Sequence, residues 1–195
     1  PKPSADRRAF DIALRVEDRY SNRQPRGKQM WGTEPERCWY TPTTGIWQHV
    51  WMEVTGAVRI DRVRITPDVD RKTAFVDARL SEAIDSGHIA WKLYWKDTLV
   101  KTGRQSVSGA TARFGIGIED GDPIDTNSHL WSPQSPNLYV LELELAHRQQ
   151  VSDRLMTYFG MRKIEVRDGK IMLNNAPLYQ RLVLDQGYWP ESLMT

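Results

Sequence analysis

Apolar and polar residues alternate with a period of two along most of the chain, which is typical of strands with one buried face. No stretch carries the 3.6-residue period of an amphipathic helix, and residues 81–86 are too short to form one of note. We therefore predict strands at residues 10–16, 46–54, 58–65, 74–80, 89–95, 99–100, 114–118, 139–145, 158–166 and 171–173.

Three details of this pattern predict local geometry. The apolar register slips by one residue at Asp61–Arg62, which indicates a β-bulge. Lys96–Asp97 predicts a turn, and Asp168–Gly169 between two apolar runs is a strong signal for a hairpin.

The regular spacing of the central strands predicts the organisation of the chain. About seven short strands lie between residues 57 and 166, with turns every ~8–12 residues, which favours an antiparallel β-sandwich over residues 56–166. Residues 1–55 hold too few strands to bury both faces of a sheet. In residues 167–195, Leu178 and 182–184 predict one more buried strand. Both ends are thus expected to be β pieces of neighbouring domains.

Composition excludes several functions. The chain of 195 residues carries 27 basic and 25 acidic residues and no sustained positive stripe, so we predict no nucleic-acid partner. No apolar run approaches the ~18 residues of a membrane span. Cys38 is the only cysteine, which excludes an internal disulfide and favours a small buried thiol.

Metal and cofactor signals are absent from the sequence. The four histidines lack the spacing of metal ligands, and the acidic loop at residues 120–125 lacks the glycine and glutamate of a calcium-binding EF-hand loop. We predict no cofactor and no metal. The sequence leaves a homo-oligomer open, and it leaves the compartment open with the cytoplasm favoured.

Five motifs, in order, resemble glycoside hydrolase family 2, the group of β-galactosidases, β-glucuronidases and β-mannosidases. Residues 44–53, TGIWQHVWME, are similar to the signature that closes the family's jelly-roll domain, and residues 25–29 to the loop before it. Residues 130–139, LWSPQSPNLY, and 159–164, FGMRKI, resemble segments of its immunoglobulin-like domain. Residues 168–177, DGKIMLNNAP, resemble the hairpin that opens its (β/α)8 barrel.

The resemblance implies the fold and the domain boundaries. Residues 1–55 would be the C-terminal part of a jelly-roll sugar-binding domain, 56–166 an immunoglobulin-like β-sandwich, and 167–195 the hairpin and first strand of a truncated barrel. Residues 180–182 and 184–190 differ from the family pattern, so the sugar and linkage stay open.

The resemblance also implies a parent enzyme that hydrolyses β-glycosides with retention, using two glutamates about 5 Å apart. Both glutamates are expected beyond Thr195, so the 195-residue chain alone should contain no catalytic residue and be inactive. In the parent enzyme the substrate is a carbohydrate. The residues that the family's architecture places on the substrate side are Trp39, Tyr40, Asp185, Gln186 and Trp189.

The tryptophans admit a second interpretation. Trp91 and Trp95, at strand spacing, and Trp131, in a turn, are expected to be structural. If they were exposed, the chain would instead be a free-standing module that binds a carbohydrate or a protein. A purely structural adhesion-type sandwich is less favoured, because it has no use for the C-terminal hairpin.

Overall fold

The computed structural model describes residues 12–46, 48–118 and 129–185, and those residues contain strands and no helix. The acidic loop at residues 120–125 lies outside them. The chain divides into two compact units, one formed by Glu53–Arg181 and one by the segments on either side of it.

The larger unit is built entirely from antiparallel strands. Five strands form its main sheet in the order β1-β2-β4-β5, with β3 also paired to β2, and three short strands form a second sheet in the order β6-β7-β8. The bounds are β1 Ile60–Asp68, β2 Thr73–Trp95, β3 Thr98–Gly117, β4 Tyr139–His147, β5 Gln150–Phe159, β6 Ile164–Arg167, β7 Lys170–Leu173 and β8 Ala176–Pro177.

The two long strands bend and take part in both layers of a sandwich. The first part of β2 pairs with β1 and with residues 111–117 of β3, whereas residues 87–95 pair with β4 and with the first part of β3. Register shifts on either side of Ile84 mark the bend. The five strands thus supply seven strand segments, three in one layer and four in the other, and the predicted all-β antiparallel sandwich is confirmed.

The bend corrects two sequence predictions. Residues 74–80 and 89–95, predicted as separate strands, belong to the single strand β2. The strands predicted at 99–100 and 114–118 likewise fall at the two ends of the single 20-residue strand β3. The alternation of burial breaks between Leu80 and Ile84, so the sheet changes direction there while the backbone stays extended. At Gly87 the bend brings β2 very close to the neighbouring strand β4. A side chain would not fit there, because a Cβ on residue 87 would lie 2.6 Å from the Ala146 carbonyl oxygen.

The core lies between the layers and follows the predicted alternation. Its fully buried side chains come from β2, β3 and β4 and the residues just after them, and include Val76, Leu80, Ile89, Leu93, Ile116, Ile118, Tyr139, Leu141, Leu143 and Leu145. Trp91 and Trp95 pack against this core, as predicted. The Trp91 ring stacks on Phe114 of the opposite layer, with centroids 6.2 Å apart and planes 11° apart.

The predicted local details are confirmed. The pairing of β1 with β2 shifts register between Ile60 and Arg62, which is the expected bulge. Lys96 and Asp97 have φ of 44° and 62°, and Asp168 and Gly169 have φ of 51° and 70°, so both turns use the left-handed conformation of tight hairpins.

The flanking segments differ from their predicted strands. Among the described residues, 12–16, 48–54 and 178–185 form no strand, and Val50, Trp51 and Leu182–Leu184 are 71–89% exposed. A strand holds its conformation through hydrogen bonds to a neighbouring strand, and none of the described strands pairs with these segments. The buried strand predicted from Leu178 onward is therefore wrong for this chain, as is the buried thiol at Cys38, which is exposed.

Candidate functional site

One predicted substrate-side residue, Trp39, lies in an aromatic cluster of the smaller unit. Its ring meets Trp31 edge to face at 5.2 Å, and the Arg26 guanidinium lies 4.5 Å from the Trp31 ring centre and 4.8 Å from that of Trp39. The Nε atom of Arg26 is buried without a hydrogen-bond partner among the described residues. Contacts between the cation and the two rings take the place of that bond.

The neighbouring Tyr40 is held by its backbone. Its amide donates to the Lys28 carbonyl at 2.9 Å and its carbonyl accepts from Met30 at 2.8 Å, so the two sides of the loop are joined. The Gln29 side chain accepts from the Thr43 amide at 3.0 Å and closes the loop further. Trp39 and Tyr40 thus lie on a loop whose two sides are joined by hydrogen bonds.

The other predicted substrate-side residues are less defined. Asp185 lies in an exposed segment without regular structure, while Gln186 and Trp189 fall outside the described residues. Contact with a sugar stays a prediction for all five positions. Among the residues that the structure describes, no three His, Cys, Asp or Glu side chains are placed to hold a metal. No helix in the described ranges is long and apolar enough to cross a membrane.

A polar cluster that the sequence did not single out fastens the C-terminal hairpin to the sandwich. The Lys163 ammonium donates to Asp70 Oδ2 at 2.7 Å and to Asn175 Oδ1 at 3.0 Å, and Asn175 donates to Asp70 Oδ1 at 2.7 Å. Asp70 belongs to the turn between β1 and β2, whereas Lys163 and Asn175 flank the β6–β7 hairpin. We call Asp70, Lys163, Asn174 and Asn175 the joint.

Asn174 adds the second half of the joint. Its side chain donates to the Trp131 carbonyl at 3.0 Å and accepts from the Lys163 amide at 3.0 Å. Trp131 packs so closely on Gly160 that a Cβ there would lie 2.9 Å from the Trp131 Cβ, and the Arg162 guanidinium covers the indole at 4.7 Å. Trp131 therefore has the structural role that its position in the turn predicts.

Electrostatics within the joint favour the charged forms of both ionic partners. The hydrogen bond from Lys163, followed by that from Asn175, lowers the pKa of Asp70 below its ordinary value. The hydrogen bonds to Asp70 and Glu165 raise the pKa of Lys163. Glu165 lies 3.2 Å from the Lys163 ammonium and also forms an ion pair with Arg167. The network of ion pairs therefore extends from the joint along strand β6.

The sequence contains one signal for the joint that alternation does not reveal. Asn174 and Asn175 have φ of 51° and 68°, in the left-handed region. Apart from glycine, asparagine is one of the residue types that adopt this region most readily. The Asn-Asn pair predicts a tight turn after β7. Which groups its two side chains meet depends on Asp70, about 100 residues earlier, and no local pattern shows that.

Comparisons with known proteins agree with this architecture. The model of the glycosyl hydrolases family 2 matches residues 58–162, more than half of the chain. The β-galactosidase of Leuconostoc mesenteroides is 28% identical over 130 residues, covering 60% of this chain and 12% of that protein. The β-galactosidase large subunit of Latilactobacillus sakei is 25% identical over 151 residues, covering 76% of this chain and 23% of that protein.

Solved structures share the fold at lower identity. A family 2 glycosyl hydrolase from Bacteroides cellulosilyticus superposes with a TM-score of 0.56 at 18% identity, over 74% of this chain and 20% of that one. The β-glucuronidase of Bifidobacterium dentium superposes with a TM-score of 0.52 at 20% identity, over 64% and 21%. The chain spans between 12% and 23% of the length of the first curated relatives. With its sandwich matched from strand β1 to the end of β5, this chain belongs to family 2 of the glycosyl hydrolases.

Proposed function

We propose that this chain is the non-catalytic β-sandwich region of a retaining exo-β-glycosidase, and that it positions a sugar-binding domain against the catalytic barrel. The role is geometric. Catalysis by two carboxylates requires the substrate to be held close to its reactive position, and a displacement of about 1 Å costs up to 100-fold in rate. A rigid sandwich between two domains that contact the substrate supplies that constraint.

The joint is the observation that carries the proposal. The hairpin β6–β7 includes most of residues 168–177, which resemble the hairpin that opens the family's barrel. Lys163 and Asn175, on either side of this hairpin, each donate a hydrogen bond to Asp70 of the sandwich, and Lys163 also donates to Asn175. Asn174 adds a third bond to the sandwich, donated to the Trp131 carbonyl, and accepts one from the Lys163 amide at the start of the hairpin. Hydrogen bonds involving charged groups are roughly twice as strong as neutral ones and are directional, so they limit movement of the hairpin.

The alternative, a free-standing carbohydrate- or protein-binding module, rests on exposed tryptophans. In the described sandwich, Trp91 and Trp95 pack against the core, and Trp131 packs on Gly160. None of these three rings forms an open platform, which favours the positioning role. Trp39, Tyr40 and Asp185, with Gln186 and Trp189, are proposed to act only in the parent enzyme, near its carbohydrate substrate.

The test uses the full protein encoded by the reading frame that contains this chain. It is assayed with p-nitrophenyl β-D-galactoside, β-D-glucuronide and β-D-mannoside, and we expect hydrolysis of at least one. We then expect Asp70→Asn, which keeps the size of the side chain and removes its charge, to lower kcat/KM by about tenfold. Glu144→Gln is the matched control, because Glu144 forms a surface ion pair with Arg154 on the sheet, away from the joint.

Two results would overturn the proposal. The first is a reading frame that ends at Thr195 in a protein without glycosidase activity. The second is an active protein in which Asp70→Asn and Glu144→Gln have the same kcat/KM as the wild type, since the joint would then have no influence on the catalytic geometry.

A further inference from the structure

The outer face of one sandwich layer carries a grid of nine outward-facing residues from β1, β2 and β3. Burial alternates along these strands, and Val63, Val76 and Ala112 point inward, so their neighbours point outward. Cross-strand pairing aligns the outward residues in three rows. The rows are Arg62–Arg79–Thr111, Arg64–Asp77–Arg113 and Thr66–Phe75–Gly115.

This grid concentrates positive charge. It holds four arginines and one carboxylate, whereas the whole chain has a net charge of only +2. Asp77 pairs with Arg113 at 2.8 Å. Arg62, Arg64 and Arg79 are exposed and make no ion pair with the described residues. The grid therefore carries three arginines whose charge no described side chain neutralises by an ion pair.

The arrangement of Arg62 and Arg79 is unfavourable for the fold alone. They stand directly opposite each other on neighbouring strands, where like charges destabilise a sheet. Such a pair becomes favourable when an external anion lies between the two guanidinium groups. Planar guanidinium groups also bind carboxylates and sulfates with two parallel hydrogen bonds.

The third row adds an apolar surface beside the charges. Phe75 is 41% exposed, and the residue opposite it is Gly115, which leaves the ring uncovered. Together with Arg64, Thr66, Asp77 and Arg113, these two residues line a shallow depression of about 410 Å³. That volume lies within the range of small-molecule sites, roughly 300–1,000 Å³.

We propose that this face binds an anionic saccharide, one that carries carboxylate or sulfate groups. The exposed Phe75 ring offers a flat apolar surface for the C–H face of a sugar ring, and the arginines beside it bind the acidic groups. Adjacent strands stand ~4.8 Å apart and alternate residues ~6.8 Å apart, so the backbone positions of neighbouring arginines are spaced by about the length of one sugar unit.

An acidic peptide is the less favoured ligand. Peptides that bind sheets usually add a strand to an open edge, whereas the grid occupies the face of a layer whose central strand is already paired on both sides. The choice of a saccharide rests on the proposed function of the chain, but binding at the grid is measured separately from hydrolysis.

The test is isothermal titration of the full protein with tetragalacturonate at low and high salt, with its uncharged methyl ester as the neutral probe. We expect binding of the acid that weakens as salt is added, and no binding of the ester. Arg64→Gln combined with Arg113→Gln should weaken binding roughly tenfold, at about 0.5–1 kcal/mol for each exposed charge contact. Arg154→Gln on the other layer is the matched control and should bind like the wild type.

A charge reversal separates loss of binding from loss of folding. Arg62→Glu removes the repulsion with Arg79 and creates an opposite-charge pair. We expect Tm to rise by about 1–3 °C while the affinity for tetragalacturonate falls.

Three outcomes would overturn the proposal: no binding of tetragalacturonate, equal affinity for the double glutamine variant and the wild type, or tighter binding of an octa-aspartate peptide than of the saccharide. A protein that hydrolyses glycosides without binding tetragalacturonate refutes this inference alone. A protein that binds it without glycosidase activity refutes the proposed function alone.

Discussion

The contact between Trp91 and Gly103 offers the sharpest test of how the sandwich is packed. The two residues face each other across β2 and β3, and the indole lies over the glycine backbone. A Cβ added at Gly103 would lie 2.5 Å from Cε2 and 2.9 Å from Nε1 of Trp91, and closer still to Cζ2. Carbon atoms pack at about 3.5–4.0 Å, so the overlap with Cε2 is about 1 Å.

The indole cannot move away from this overlap without disturbing the opposite layer. Its other neighbour is Phe114, stacked at 6.2 Å, and both rings pack against the buried core. Overpacking a core costs about 1–3 kcal/mol, so Gly103→Ala should lower the free energy of unfolding by about 2 kcal/mol. Backbone strain makes no contribution, because Gly103 does not adopt positive φ.

The assay is urea denaturation followed by tryptophan fluorescence. Gly115→Ala is the matched control, since it makes the same change in the same strand. A Cβ there would meet the Thr73 methyl at 3.1 Å and the Phe75 ring at 3.5 Å, both on the outer face. This variant should change the unfolding free energy by less than about 0.5 kcal/mol.

A double-mutant cycle tests the cause. Trp91→Leu removes the ring that the new Cβ strikes, so the cost of Gly103→Ala should nearly vanish in that background, with a coupling of about 1–2 kcal/mol. The reasoning is refuted if Gly103→Ala is no more destabilising than Gly115→Ala. A full cost of Gly103→Ala in the Trp91→Leu background would refute it equally.

Three further predictions concern the joint and the contact between the edge strands. The pKa of Asp70 is lowered in the folded protein, so its contribution to stability is complete above the ordinary carboxyl pKa of about 3.9 and is lost as pH falls through the lower folded value. Amide hydrogen exchange in the hairpin should therefore accelerate below about pH 4 relative to exchange in the core of the wild-type protein. Asp70→Asn should abolish this acid-dependent acceleration. Asn174→Ala removes two hydrogen bonds and places alanine at a φ of 51°, so it should lower the free energy of unfolding by about 2 kcal/mol in thermal denaturation. Glycine tolerates that φ, so Asn174→Gly should lose only the hydrogen bonds, about 1 kcal/mol. Equal losses of stability in the two variants would contradict this reasoning. Asp153 accepts a hydrogen bond from the Ile60 amide at 2.7 Å and so joins β5 to β1. Asp153→Ala should therefore lower the free energy of unfolding, measured by urea denaturation, by about 1.5–3 kcal/mol. A loss below about 0.5 kcal/mol would show that the contact contributes little.

Local patterns predicted β1, β4, β7, parts of β2 and β3, the bulge and the turns. They missed most of β5, because the strand predicted at 158–166 is divided between the end of β5 and the start of β6. Alternation identified the inward residues of β2 and β4, since a buried face requires apolar side chains at every second position. The slip at Asp61–Arg62 and the pairs Lys96–Asp97 and Asp168–Gly169 were sufficient because bulges and tight hairpins depend on only a few adjacent residues.

The same reasoning failed where a strand depends on a neighbour. Residues 48–54 and 178–185 alternate or cluster as strands do, yet nearly all of them are exposed and no described strand pairs with them. The period of apolar residues indicates which face of a segment would be buried in a sheet. Whether the segment forms a strand at all depends on a partner strand to which it can hydrogen-bond. For that reason the substrate-side residues near residue 185 stay predictions.

The sequence by itself determined the fold class, the inward faces and the family, because those follow from periodicity and from ordered motifs along the chain. Only the tertiary structure decided that β2 and β3 cross between the layers, that Asp70 meets Lys163 and Asn175, and that four arginines share one outer face. These features join residues separated by up to about 100 positions. Strand register and the bend of the sheet bring them together, and both arise from packing of the whole core and are not encoded in any single segment.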